Sequence, residues 1–400
     1  MTTAPAFPHL RAVTHEVTAD GELANTDRFS DGLDGFDASD FAWLHHGVRL
    51  IARGTAARVE VSAIGEALAS ITADAVPALA GVGPIAVGAL PFDPAGDATL
   101  TIPASIVADI DGRRFITRIG TDDSVHAAPA TPTRFVVDAP RTLDQWRAMV
   151  DTALVAIDAG DVEKVVLARE VLIEADAPFD LTAIVRRLVT QQPGSFVYAS
   201  EGFVGASPEL LIRRTGAVVE SRPMAGTVVV DGDEESLRTL AASVKDQHEH
   251  RVVVDAIAST LTSVCDTTDP VGEPEIAVFG HVAHLATPLR GTLRSPAPSA
   301  LELARALHPT PAVGGTPTAA ALTLMRELEG FDRGRYAGPV GWVDARGDGE
   351  WAIALRGAEL DGARARLVAG AGIVAGSVPD AEWAETQAKF EPMLRALVRP

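Results

Sequence analysis

Cysteine is almost missing from this chain of 400 residues: Cys265 stands alone. One thiol excludes an internal disulfide and any zinc site built on cysteine. Basic residues are also scarce, with 34 Lys and Arg against 54 Asp and Glu and a net charge of −20. That balance argues against nucleic acid and against an anionic membrane surface as partners. An anionic small substrate stays compatible if a metal and a few placed Arg or Lys residues reverse the local field. There is no signal peptide and no apolar run long enough to span a membrane, so the cytoplasm is the expected location. A Walker A loop and a GxSxG elbow are both missing. HEH at 248–250 is not HExxH, because residues i and i+2 do not share a helix face. Gly370, Gly372 and Gly376 half-resemble a dinucleotide loop, but antiparallel elements precede them and SVPD follows before any helix.

What is present is an ordinary globular composition, 47% hydrophobic and 22% charged. Residues 1–35, rich in Asp, Gly and Ser from 20 onward, are expected to be poorly structured. Residues 36–400 read as one domain, since no Pro/Ser-rich linker divides 130–400. The stretch 40–140 is β-rich with one helix: FAWLHHGVRLIARG is a strand, EALASITADAVPAL the helix, and three further strands follow. His45 and His46 would point to opposite faces of their strand, which rules them out as joint ligands. A capping box at Thr142 and Gln145 opens a helix that Gly160 ends. VEKVVLAREVLIEA is apolar on both faces, as a central strand is. DLTAIVRRLVTQQ is a second amphipathic helix, and a meander of short strands fills 195–230. A long helix over 243–264, strands in GHVAHLATPLRGTL and helices at 299–308 and 317–329 come next. A second meander over 336–375 and a helix over 380–398 close the chain. The order helix, central strand, helix, meander, acidic helix, and then helices, meander and acidic helix is an architectural duplication without a sequence period.

Each acidic helix carries two acids at i and i+3, Asp246 with Glu249 and Glu382 with Glu385, and such pairs share a helix face. Two helices facing each other this way would converge four carboxylates, which need a cation or protonation. An all-oxygen site suits Mg²⁺. Asp246, Glu249 and His250 extend the apolar stripe of Val253, Ile257, Leu261 and Val264, where unpaired charge is costly. Glu382, Glu385 and Lys389 sit roughly 130° from the stripe of Trp383, Phe390, Leu394 and Leu397. That face fits either a solvated surface or the lining of a wet cleft.

Three further residues stand out. Lys164 lies within the apolar run VEKVVLARE, where desolvation disfavours the ammonium; it is a candidate base, or a lysine snorkelling from an edge strand. Glu209 in GASPELLIR, at the mouth of a strand and flanked by Leu, is a candidate acid or a surface glutamate. Arg356 in AIALRGAEL needs an anionic partner, either a structural carboxylate or a substrate. PMAGT at 223–227 and AGAGI at 369–373 allow close backbone approach to a ligand.

Together these segments resemble the chorismate-utilising enzymes: isochorismate synthase, salicylate synthase and the large subunits of anthranilate and aminodeoxychorismate synthases. The resemblance is dense over 140–400, through VEKVVLARE, GASPELLIR, SRPMAGT, KDQHEH, HVAHLATPL, HPTPAVGGTP, RYAGPVGW, ALRGAEL, AGAGIV and EWAETQAKF in the family's order. GPIAVGALPFDP near 82–95 is similar to the isochorismate synthase branch. The resemblance implies an α+β fold, a single domain of two packed antiparallel sheets with helices outside. It implies that Lys164 activates water for attack at C2 of chorismate and that Glu209 protonates the departing C4 hydroxyl. It implies Mg²⁺ on Glu249 and Glu385, with Asp246 and Glu382 as their partners. Gly226, Thr227, His284, Arg356, Gly370, Gly372 and Lys389 match positions that hold the substrate's carboxylates and ring.

Three positions select the branch. Lys164 is missing from the ammonia-using anthranilate enzymes. Ala225 stands where aminodeoxychorismate synthases carry a nucleophilic lysine, and it cannot form a covalent adduct. Ala312 stands where salicylate synthases carry a hydroxyl, which favours stopping at isochorismate. The expectation is a Mg²⁺-dependent isochorismate synthase, a monomer acting on chorismate without an amidotransferase subunit. The alternatives are a salicylate synthase and a non-catalytic metal-binding paralogue. Menaquinone and catecholate siderophore routes both begin from such an enzyme.

Overall fold

Lys164–Ala175 forms a strand buried on both faces over its first half, as the apolar run Val165–Ala168 requires. It pairs antiparallel with Arg364–Ile373 from Val165↔Ile373 to Glu174↔Arg364. Around this pair the computed structural model, which describes residues 10–17, 32–45, 47–74, 76–120, 131–230, 234–280 and 282–398, arranges a 13-stranded and a 9-stranded sheet. The main core lies between them, with Trp43, Trp146, Trp342 and Tyr198 inside it. A second core lies between the larger sheet and the helices Leu181–Gln191 and Pro379–Val398. The α+β architecture with helices outside is as expected.

A third sheet is not. Met224–Val229 leaves the meander and joins Glu275–Phe279 and Val282–Ala286 in a 3-stranded sheet. Pro223 precedes the departure; lacking an N–H, it cannot continue the ladder of Val218–Arg222. Two strands, Cys265–Thr268 and Glu275–Phe279, lie where no strand was expected. The predicted strand 41–54 is a hairpin of Phe41–His45 and Val48–Arg53; His46 lies outside the described residues. The expected helix 66–79 is shorter, Ile64–Ser70, because Thr72–Ala73 turns extended to pair with Arg11 and Ala12.

The N-terminal segment also needs correction. Arg11–Val17 is a strand paired with Arg113–Arg118, its β-branched residues suited to a half-buried edge, and Ala12 is fully buried. Leu33 and Phe36 enter the second core. Residues 1–9 and 18–31 lie outside the described residues.

The two meanders interlock, and this is what builds the site. Phe203–Ser207 belongs to the larger sheet and Leu210–Thr215 to the smaller, so the chain changes sheets at Pro208–Glu209. Gly349–Ile353 belongs to the smaller sheet and Gly357–Asp361 to the larger, so it changes back at Ala354–Arg356. The two crossovers are tied together, Ile353 N–H donating to the Glu209 carbonyl at 3.2 Å and Ala206 N–H to the Arg356 carbonyl at 3.3 Å.

Candidate active site

Lys164 is fully buried at the start of its strand, with Nζ 2.8 Å from Glu249 Oε1. A Cβ on Gly372 would collide with that Glu249 oxygen and stand 3.0 Å from Lys164 Cε. Glycine is therefore what lets the acidic helix approach the strand. Burial raises the Glu249 carboxyl, but the Lys164 charge and its contact outweigh it, with Lys389 and Lys245 adding to the effect, and hold it below the ordinary range. Lys164 is not a snorkelling edge residue.

Glu209 sits at the first crossover, 3% exposed. Among the described residues its carboxyl accepts one long bond, 3.4 Å, from Met224 N–H. Burial pushes its pKa up to about 8, against partial relief from that bond, Lys164, Lys389 and Arg356. At neutral pH it is a protonated acid inside the protein.

Arg356 occupies the second crossover with φ 52°. Its Nη2 lies 3.0 Å from His284 Nε2. A guanidinium only donates, so His284 Nε2 accepts and the ring proton sits on Nδ1. Nδ1 lies 3.0 Å from Thr227 Oγ1, which leaves the threonine hydroxyl its own proton to donate. Burial, then Arg356 and Lys389, hold His284 well below its ordinary pKa, so it is neutral. Arg356 Nη1 is buried with no hydrogen-bond partner among the described residues, and burial brings the guanidinium down to about 10. A buried cation with an unused donor is built for an anion.

The acidic helices are Val244–Val264 and Pro379–Val398. Ser243 caps the first by accepting from Asp246 N–H. Lys389 Nζ meets Glu385 Oε1 at 2.5 Å and donates to the Gly370 carbonyl at 2.9 Å. Lys245 Nζ meets Glu382 Oε1 at 2.8 Å. The expected wet acidic face holds for Glu385 and Lys389, which are partly open, but not for Glu382, which is 2% exposed. Lys245 reaches across from the other helix and seals it. On the first helix His250 is buried as its stripe predicts, bonded to Thr287 Oγ1 at 2.7 Å.

Burial raises the Asp246 carboxyl, and Glu249 and Glu385 raise it further. Burial and then Glu385 raise Glu382. The four acids are therefore electrostatic neighbours, with three of them lysine-paired. Among the described residues no three His, Cys, Asp or Glu side chains group closely enough to enclose an ion. The donor set nevertheless fits a hard dication: oxygen only, mutually repelling, and only partly neutralised by the lysines Lys164, Lys245 and Lys389.

One cavity collects Glu209, Gly226, Thr227, Glu249, His284, Ala312, Arg356, Gly370, Gly372 and Lys389. Lys164 lies behind Glu249; Asp246, Glu382 and Glu385 lie outside the lining. Gly226, at φ +71°, is a bulge whose Cβ would press on Asp246. Sequence reasoning missed Tyr336, Met224, Leu355 and Val313 in the wall. The motif RYAGPVGW was legible, and Tyr336 within it, one of two tyrosines in the chain, was the available signal.

The fold and the cavity define a family. The profile described as chorismate binding enzyme matches residues 98–398, and the chain belongs to that family. It is 39% identical to isochorismate synthase EntC of Escherichia coli over 78% of this chain and 80% of the relative. It is 37% identical to isochorismate synthase DhbC of Bacillus subtilis over 78% of this chain and 81% of the relative. The crystal structure of DhbC from Bacillus anthracis superposes with a TM-score of 0.79 at 32% identity, covering 91% of this chain and 98% of that one.

Proposed function

We propose that the protein is a Mg²⁺-dependent isochorismate synthase that interconverts chorismate and isochorismate. The observation that carries this is a cavity served by both a buried lysine, Lys164, and a buried acid, Glu209, whose pKa of about 8 keeps its proton at neutral pH. Lys164 acts as the neutral amine: the ammonium that faces Glu249 first releases its proton, and the amine then takes a proton from a water that adds at C2. The ring double bonds shift, and Glu209 gives its proton to the C4 hydroxyl, which leaves as water. One water enters and one departs, so the reaction is an isomerisation and runs both ways. The free donors of Arg356 and the Thr227 hydroxyl hold the substrate's carboxylates, and Lys389 adds positive charge beside them. These cations reverse the field of a chain whose net charge is −20. Glu249 and Glu385 are the residues that would hold Mg²⁺, with Asp246 and Glu382 behind them. Bound there, the ion supplies charge that fixes the ring carboxylate. The relatives named isochorismate synthase support this reading, as does Ala312, which places no hydroxyl in the wall. We place the enzyme in the cytoplasm as a monomer that needs no amidotransferase.

The test is incubation of the purified protein with chorismate, with and without Mg²⁺, and chromatography of the products. Isochorismate formed only with Mg²⁺ is the expected result. Salicylate with pyruvate, or no turnover, overturns the proposal.

A further inference from the structure

Glu329 and Arg333 form an ion pair whose side chains are 2% and 3% exposed, and neither reaches the cavity. A pair this deep is weak evidence for stability, because desolvating both charges offsets most of their attraction. What the pair holds is more informative. Arg333 Nη1 donates to the Val313 carbonyl at 2.8 Å, and Nη2 donates to the Val166 carbonyl at 3.0 Å. Glu329 Oε1 accepts from Ala168 N–H at 2.7 Å and Oε2 from Arg333 Nε at 2.9 Å. The Arg333 guanidinium also lies 5.7 Å from the centroid of the Tyr336 ring, and its backbone carbonyl accepts from Tyr336 N–H at 3.0 Å.

Val166, Val313 and Tyr336 all line the cavity, and they come from the central strand, the loop before Gly315–Thr316 and the loop before Pro339–Asp344. The planar fork thus ties two separate segments of the wall, and the Arg333 backbone carbonyl holds the third at Tyr336. Lysine could not do this, since it offers a point charge without fixed directions.

We propose that Glu329 and Arg333 are positioning residues that set the width of the substrate cavity. They touch no reacting atom; they hold the wall at the spacing that grips the ring. The proposal rests on the cavity being the chorismate site. Enzyme sites need their walls held to about half an ångström, and a loosened wall costs affinity before it costs fold.

The experiment compares wild type with the double variant Glu329→Leu/Arg333→Met, which removes both charges at similar volume, and with Arg333→Lys, which keeps the charge but loses the fork. Chorismate Kd by calorimetry, KM and Tm are measured on each. Both variants are expected to bind chorismate about tenfold more weakly; the double variant also melts below wild type, because the Ala168 N–H and the Val166 and Val313 carbonyls lose their side-chain partners, so the Kd of folded protein carries the test. A purely structural role lowers Tm and leaves the Kd of folded protein unchanged; a folded variant with wild-type Kd overturns the proposal. If the double variant does not fold, Arg333→Lys decides alone. Wild type that fails to bind chorismate overturns the functional reading itself, which separates the two failures.

Discussion

Lys164 and Glu249 face each other at 2.8 Å, and the missing side chain of Gly372 is what allows it. Gly372→Ala puts a methyl group into that contact. Its backbone is extended, so the substitution acts through the clash alone. We expect a loss of about 1–3 kcal/mol of stability from overpacking. Turnover should fall about a hundredfold because the Lys164 ammonium and the Glu249 carboxyl are forced apart. Kinetics and thermal melting on the purified variant check this; unchanged kcat would mean the contact plays no part in the reaction.

Lys164→Ala removes the proposed base. Turnover should drop by about 10²–10⁴-fold, the range that one positioned proton-transfer group contributes. Chorismate binding, read by calorimetry, should survive, since Arg356 and Lys389 are untouched. Near-normal turnover would disprove the assignment of Lys164.

Glu209 links stability to pH in a defined direction. Its folded pKa of about 8 lies above the ordinary 4.5 of the unfolded chain. Between these values the unfolded chain releases a proton that the folded protein keeps, so stability should fall as pH rises from about 4.5 through about 8. Beyond that both states are ionised and the slope from this residue ends. Glu209→Gln should flatten that part of the curve. Turnover of wild type should also decline above pH of about 8, as the acid loses its proton. A stability profile identical in wild type and Glu209→Gln would contradict the burial argument.

Glu249→Ala and Glu385→Ala should each abolish the response to Mg²⁺, measured as direct Mn²⁺ binding as well as activity. Their stabilities should differ. Glu249→Ala strands a fully buried Lys164 and should cost about 3–5 kcal/mol. Lys389, released by Glu385→Ala, keeps the Gly370 carbonyl and is partly open, so that variant should melt closer to wild type. Mn²⁺ binding retained by either variant would move the metal site elsewhere.

Much of this was legible in the chain. The i, i+3 acids, the lysine inside VEKVVLARE and the glycines of AGAGI are local patterns, and local periodicity is what sequence displays. The order of the motifs carried the family. The third sheet was not legible, because its strands 224–229, 275–279 and 282–286 are assembled from separated segments by a Pro223 break that reads only as a turn. Val313 escaped notice because nothing in its own segment marks it as a wall residue, and Tyr336 was marked only by the scarcity of tyrosine within a legible motif.

By itself, then, the sequence determined which chemical groups exist and which helix or strand carries each: a lysine in an apolar strand, a glutamate at a strand mouth, four carboxylates and an arginine without a local partner. Only the tertiary structure decided their environments. It buried Glu209 at a crossover between sheets, and that burial makes it an acid at neutral pH. It sealed Glu382 with a lysine from another helix, where helix periodicity left an open face. It gave Arg356 a neutral histidine instead of a carboxylate, leaving Nη1 without a partner among the described residues. Desolvation and pairing are set by what the chain brings close from far away, and helical or strand spacing reports only on neighbours.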